Sequence, residues 1–128
     1  YGDHRDLHLS LRRQRQMCIR DRILSPSIEP EPFGRIPIEA QASGKIIISC
    51  DAGAVKDTIK SGKNFTGFKA IPNNSESLAD KIKIALKMEN EEIQGMQKRA
   101  IMNVKNNFSL ESMCKKTLEV YNRLLISK

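Results

Sequence analysis

The stretch EPFGRIPIEAQASGK, residues 31–45, combines a glycine-containing loop with the start and the end of a short helix. Pro37 suits an early helical position, where φ is already about −65° and the N–H group would have no helical partner. Gly44 lies where a residue in the left-handed region would end the helix. Glu31 in the loop and Glu39 in the helix are eight positions apart. The stretch therefore predicts a loop that runs directly into a helix, with one carboxylate on each.

The start of this predicted helix has the features of a phosphate-binding site. Several backbone N–H groups there have no intrahelical acceptor, namely those of Phe33, Gly34, Arg35 and Ile36. They lie beside the positive end of a helix dipole, which favours an anion. Two carboxylates next to such a site favour a ligand with both phosphate and hydroxyl groups, and a nucleotide sugar fits.

The flanking segments predict an α/β fold. Residues 45–50, KIIISC, form a short apolar run rich in β-branched residues, which is typical of a parallel strand buried on both faces. Residues 23–27 and 65–71 are predicted as the strands before and after it. Strand, helix and strand over residues 23–50 make one βαβ unit, and Asp51 follows at the edge where open α/β sheets bind ligands. We expect a Rossmann-like parallel sheet with flanking helices.

Four more helices are predicted after residue 50. The first is short, over residues 55–59. The others are capped by Asn74 or Ser75, by Asn90 and by Ser109. Each of these three has an apolar stripe expected to lie in the core: Leu78, Ile82, Ala85 and Leu86; Ile93, Met96, Ala100 and Val104; Leu110, Met113, Cys114, Leu118, Tyr121 and Leu125.

The length of 128 residues suits one domain, and the net charge of +7 is unevenly distributed. Residues 1–22 contain six of the nine Arg and no Lys, and they show no periodicity. They are predicted to be a non-native or disordered leader. From residue 23 to residue 128, the predicted domain, 16 basic residues face 12 acidic ones. That balance predicts no nucleic-acid partner.

The cysteines and the hydropathy favour a reducing, aqueous compartment. Cys18, Cys50 and Cys114 form no C-x-x-C pair and have no His at metal-ligand spacing, so buried free thiols are expected and no metal site. No apolar run approaches the length of about 20 residues that a membrane span needs. A cytoplasmic protein is the expectation.

Residues 25–45 resemble the donor-site segment of retaining GT-B glycosyltransferases of the "glycosyl transferases group 1" type. The pattern of that family is close to S-x-x-E-x-F-G-x-x-x-x-E-A-x-A-x-G. The E-x7-E spacing is unspecific by itself, since Glu111 and Glu119 are also eight positions apart. The longer pattern is more specific because it includes the loop, the glycine, both carboxylates and the helix stop. The resemblance covers residues 23–125, with departures from the common pattern at Ala54, Lys56 and Asp57 that weaken any inference about the sugar.

The resemblance implies that the chain is the partial C-terminal domain of a GT-B enzyme that transfers a hexose from a nucleotide-diphosphate sugar with retention. Glu31 would contact the donor sugar as the catalytic residue, and Glu39 would bind the ribose. The amides of the loop would bind the diphosphate: Phe33, Gly34, Arg35 and Ile36. The family generally needs no essential metal and no cofactor.

The acceptor implied is a lipid-linked or lipopolysaccharide-type glycan of the cell envelope, met in the cytoplasm or at the inner face of the membrane. In the family, the basic residues that bind the donor phosphates and the whole acceptor domain lie upstream. The last helix packs towards that upstream domain. The resemblance therefore implies that this chain alone is inactive and exposes apolar surface on its last helix.

Two other functions fit parts of the sequence. A non-catalytic α/β nucleotide-binding or receiver-like regulatory domain would need an acidic cluster at the strand ends, where Asp51 is the one candidate in place. A nucleotide-sugar binder without transfer activity would share the whole donor segment.

Overall fold

The computed structural model describes residues 21–30 and 32–126. Three parallel strands form a sheet in the order β1-β2-β3: Arg22–Ser25, Ile46–Cys50 and Phe68–Ala70. The helices are α1 (Arg35–Ala42), α2 (Val55–Thr58), α3 (Ser75–Lys87), α4 (Asn90–Asn107) and α5 (Leu110–Ile126), with a 3-10 turn at Gly62–Asn64. The predicted α/β class is confirmed.

Strand β2 is the centre of the molecule, and all five of its residues are buried, as its apolar run predicts. Ile47 packs with Ala40 of α1 on one face of the sheet. Ile46 and Ile48 pack with Ala85 of α3 on the other face. Successive side chains of a strand point to opposite faces, so a continuous apolar run needs a cover on both sides. Helices α1 and α3 provide these two covers.

The two outer strands are shorter than predicted. Strand β1 begins at Arg22, which pairs with Ile46 and donates a 3.0 Å hydrogen bond from Nε to the Ala85 carbonyl. It ends at Ser25 because Pro26 has no N–H to continue the ladder. Arg22 therefore belongs to the sheet, which corrects the predicted end of the leader at residue 22. Residues 1–20 of that leader lie outside the described residues, as does the predicted thiol of Cys18.

Strand β3 covers only Phe68–Ala70 of the predicted residues 65–71. The N–H of Thr66 donates to the Lys60 carbonyl instead of joining the ladder. Gly67 passes so close to β2 that an added Cβ would lie 2.5 Å from Cγ2 of Ile47. Strand β3 therefore begins only after Gly67, at Phe68.

The helix caps match the predictions in two of three cases. Oδ1 of Asn74 accepts from the N–H of Ser77 at 2.9 Å, and Oγ of Ser109 accepts from the N–H of Ser112 at 3.1 Å. Helix α4, however, is capped by Glu89 in a capping box with Glu92, and Asn90 is its first helical residue. The prediction of Asn90 as a cap is wrong because the reciprocal Glu89–Glu92 pair satisfies two N–H groups.

Several predicted core positions are exposed. Leu86 is 61% exposed, since it lies on the flank of the α3 stripe and no described element covers that side. No residue of α5 is buried, and Cys114 on that helix is an exposed free thiol, whereas Cys50 is buried as expected. The expectation that the α5 stripe lies in the core is wrong for this chain. The family resemblance implies instead that the apolar surface of this helix is exposed in this chain, and the structure shows that exposure.

Candidate functional site

The N-terminus of α1 has no cap from a side chain; its N-cap residue Gly34 is buried, and Arg35 beside it is exposed. Its N-cap, Gly34, adopts φ 63° and ψ 64°, a left-handed conformation that only glycine adopts without strain. The first turn contains no acidic residue. Within residues 21–30 and 32–126, the N–H groups of Arg35 and Ile36 have no hydrogen-bond acceptor. The positive end of this helix is therefore available to an external anion.

Glu39, the second predicted carboxylate, lies one turn further along α1 and is 40% exposed. Its Oε1 is 3.3 Å from Nη2 of Arg35, whose side chain is 81% exposed. An exposed ion pair with this i, i+4 spacing contributes only about 0.3–0.5 kcal/mol. A ligand with hydroxyl groups can therefore replace Arg35 at little cost.

Glu31, the predicted catalytic residue, lies outside the described residues, so its position relative to Glu39 stays a prediction. Phe33 does lie in the described loop, and its ring is 57% exposed. It meets the ring of Phe108 edge-on, with centroids 6.5 Å apart and an interplanar angle of 74°. The loop before α1 is thus tied to the end of α4. The contribution of Phe108 is missed by sequence reasoning, because no local pattern connects residues so far apart.

The C-terminus of α1 ends as predicted. Gly44 has φ 63°, its N–H donates to the Gln41 carbonyl, and the N–H of Lys45 donates to the Ala40 carbonyl. These two bonds are those of a Schellman motif, which satisfies carbonyls that the helix would otherwise leave free. Strand β2 begins immediately afterwards, at Ile46.

A buried polar network holds the inner face of α1, and sequence reasoning missed it. Nε2 of Gln41 donates to the carbonyls of Pro37, at 3.1 Å, and of Thr58, at 2.9 Å. Nδ2 of Asn103 donates to Oε1 of Gln41, at 2.9 Å, and to the same Thr58 carbonyl, at 3.0 Å. A signal was available, because Asn103 continues the inward spacing of Met96 and Ala100 on α4.

A second feature of the carboxyl edge is a cavity of about 290 Å³. Its walls come from the residues after β1 and β3, from the last residue of β2 and from the start of α3: Pro26, Ile28, Cys50, Ile71, Asn73, Asn74, Ser75 and Leu78. None of the predicted donor residues lines it. The α1 N-terminus and this cavity are therefore separate features of the same edge of the sheet.

Asp51, which follows β2, is paired with a base, and within residues 21–30 and 32–126 it belongs to no acidic cluster. Its Oδ1 is buried without a hydrogen bond and lies 3.7 Å from Nζ of Lys69. Among the described residues, no three His, Cys, Asp or Glu side chains converge as metal ligands would. In the same part of the chain, no helix is long and apolar enough to cross a membrane.

Residues 12–106 match the glycosyl transferases group 1 family. The chain belongs to this family. The matched range includes α1 and its loop, and it begins within the segment predicted as a leader. Family membership removes the receiver-like interpretation of Asp51. No curated protein matches the chain.

Solved structures show the same fold. A glycosyltransferase from Rickettsia africae is 42% identical, with a TM-score of 0.77 over 86% of this chain and 29% of its own. A sucrose-phosphate synthase from Thermosynechococcus elongatus is 25% identical, with a TM-score of 0.69 over 84% of this chain and 26% of its own. HepE from Anabaena in complex with UDP is 23% identical, with a TM-score of 0.74 over 84% of this chain and 29% of its own. The chain thus spans less than a third of each of these proteins. The part that is similar is an α/β sheet with its flanking helices, as found in GT-B enzymes.

Proposed function

We propose that this chain is the donor-binding part of a glycosyltransferase that transfers a hexose from a nucleotide-diphosphate sugar with retention. The observation that carries the proposal is the uncapped α1 N-terminus, entered through a left-handed Gly34, within a segment that matches the group 1 family. Related folds have been solved in complex with UDP or UDP-glucose and, for a starch synthase, with ADP. These ligands all carry the diphosphate that an open helix N-terminus favours.

Each residue of the donor segment has a distinct role in this proposal. The N–H groups of Phe33, Gly34, Arg35 and Ile36 donate to the diphosphate. Gly34 lets the ligand approach closely because it has no Cβ. The two carboxylate oxygens of Glu39 accept from the two ribose hydroxyls. Glu31 accepts from hydroxyls of the donor sugar and is the catalytic residue.

The electrostatics of the helix terminus and the loop amides stabilise the leaving diphosphate, and no essential metal or cofactor is required. The acceptor is a lipid-linked or lipopolysaccharide-type glycan, and the protein acts in the cytoplasm or at the inner face of the cell membrane. Acceptor recognition belongs to a part of the enzyme outside this chain, so this chain alone does not transfer sugar.

The first test of this proposal is donor binding by a Glu39→Ala variant. A hydrogen bond to a charged group contributes about 1.5–3 kcal/mol, so the loss of Glu39 should lower the affinity for the best nucleotide-sugar donor by roughly ten- to a hundredfold. Calorimetry with UDP-, GDP- and ADP-sugars measures this change. Glu76→Ala is the matched control, since it removes an acidic side chain from the first turn of α3, on the opposite face of the sheet.

The outcomes separate a ligand-binding Glu39 from a purely structural one. Equal affinities in the wild type and in Glu39→Ala would assign this carboxylate to helix stabilisation alone, and no binding of any donor by the wild type would contradict the proposed function. In an enzyme that carries this domain together with an acceptor domain, Glu31→Ala should mainly lower the turnover number. Donor binding without transfer in that enzyme would instead identify a nucleotide-sugar binder.

A further inference from the structure

The amide side chains of Gln41 and Asn103 join three helices at a single carbonyl group. Gln41 is fully buried on α1, and Asn103 is 8% exposed on α4. Both donate to the carbonyl of Thr58, the last residue of α2, and Asn103 also donates to Gln41. The carbonyl of Thr58 lies at a helix end, where it lacks an intrahelical donor.

Every hydrogen-bonding atom of the two amide groups has a partner. The Nε2 group of Gln41 uses both of its hydrogens, on Pro37 and Thr58, and its Oε1 accepts from Asn103. Oδ1 of Asn103 accepts from Nδ2 of Asn107 at 3.0 Å. A fully satisfied buried network defines one relative arrangement of its members, because each bond constrains both distance and direction.

Helix α1 needs such a constraint. It has eight residues, which is too short for a stable isolated helix, so its position depends on tertiary contacts. Its buried apolar side chains are small, Ala40 and Pro37, and Ile36 is only half-buried. Apolar packing is non-directional, so it restricts the rotation and sliding of a helix less than oriented hydrogen bonds do. Glu39 and the open N-terminus move with α1 as one body.

We propose that Gln41 and Asn103 are positioning residues for the donor site: by bonding α1 to α2 and α4, they set where the α1 N-terminus and Glu39 meet the donor. This inference rests on the proposed function. It assigns a role to residues that do not contact the ligand themselves. A contribution to global stability alone is the competing explanation, and the experiment separates the two.

The experiment compares Gln41→Met with the double variant Gln41→Met/Asn103→Leu in the whole chain. The single change keeps the shape of the side chain but leaves one N–H of the Asn103 amide without its acceptor on Gln41, so it lowers both stability and binding. The double change replaces both amides with apolar side chains, so this unpaired N–H is removed and part of the thermal stability returns, although the Thr58 carbonyl still lacks a donor. The oriented bonds are still missing, and binding of UDP, ADP or GDP should therefore stay weakened by roughly fivefold or more.

The control is Ile82→Ala, which weakens the core on the opposite face of the sheet. This variant should have a lower melting temperature, and its folded form should bind the nucleotide with the affinity of the wild type. Recovery of wild-type nucleotide affinity in the double variant would overturn the positioning role. So would a loss of affinity in Ile82→Ala equal to that in Gln41→Met.

Hydrogen exchange provides a readout that does not depend on a ligand. The amides of residues 38–42 should lose protection in the double variant, while those of α3 keep theirs. Unchanged protection of α1 would overturn the inference even if donors bind. If the wild type binds no nucleotide while α1 alone loses protection, the proposed function fails and the network is still shown to hold α1.

Discussion

Gly67 lies where the packing against β2 leaves no room for a side chain. An added Cβ would lie 2.5 Å from Cγ2 of Ile47 and 2.9 Å from its carbonyl oxygen, and the latter belongs to the backbone of the central strand. Gly95 in α4 is a milder case, because its added Cβ would meet only Nη1 of Arg99, at 3.3 Å. The Arg99 side chain is held by a hydrogen bond from its Nε to the Phe65 carbonyl and lies over the Phe65 ring, so it must shift by a few tenths of an ångström. The same substitution should therefore cost much more at Gly67 than at Gly95.

We expect Gly67→Ala to lower the free energy of unfolding by about 1–3 kcal/mol, because overpacking must move β2 or the chain before β3. Gly95→Ala should change it by less than about 1 kcal/mol, since the better helix propensity of alanine offsets the shift that Arg99 must make. Urea unfolding followed by circular dichroism measures both. A Gly67→Ala variant as stable as the wild type would show that these segments are less tightly packed than the structure indicates.

At the level of elements, the helices differ in how their first N–H groups are satisfied. Helix α3 relies on the side chain of Asn74, and helix α4 on the capping box of Glu89 and Glu92. Helix α1 relies on neither, since its N-cap is Gly34. Helix α2 also lacks a side-chain cap, at Ala54, so α1 differs from it in its left-handed Gly34 and in its length of eight residues.

Two asparagines that look alike in the sequence should respond differently to truncation. Asn74→Ala should cost about 1 kcal/mol of stability, within the range of about 0.5–2 kcal/mol typical of lost N-caps. Asn90→Ala should change stability by less than about 0.5 kcal/mol, because Asn90 is the first helical residue and caps nothing. Thermal or urea unfolding of the two variants checks this. A larger loss at Asn90 would restore it as the cap of α4.

At the level of the whole molecule, burial is concentrated around β2 and decreases to nothing along α5. Exposed apolar side chains follow one face of α5, including Leu118 at 61%, Tyr121 at 61% and Leu125 at 73%. Contiguous apolar patches of this kind mark interaction sites or favour association.

We expect this chain to bind an apolar fluorescent dye or to form oligomers through α5. Leu118→Glu/Leu125→Glu should reduce dye binding and association while the melting temperature stays nearly constant, because no described element packs over these side chains. Dye titration and sedimentation velocity measure the two effects. Lys116→Glu, on the opposite face of α5, is the control and should change neither. A loss of cooperative melting in the double variant would mean that the stripe is packed in solution.

The features predicted correctly from the sequence depend on residues close together in the chain. The helix stop at Gly44 requires a left-handed residue and two bonds within five positions. The cap at Asn74 reaches only to Ser77. The apolar run of β2 requires a cover on both faces whatever provides it. Local geometry and hydrophobic pattern are sufficient to determine such features.

The features that only the tertiary structure decided depend on partners distant in sequence. Gln41 and Asn103 are 62 positions apart, and neither residue type predicts a buried amide pair without knowledge that α1 and α4 run side by side. Likewise, Phe33 meets Phe108 only because α4 ends beside the loop that precedes α1. The apolar stripe of α5 has the pattern of a core helix, yet it is exposed, since a pattern shows which face can be buried and only the surrounding elements determine whether it is.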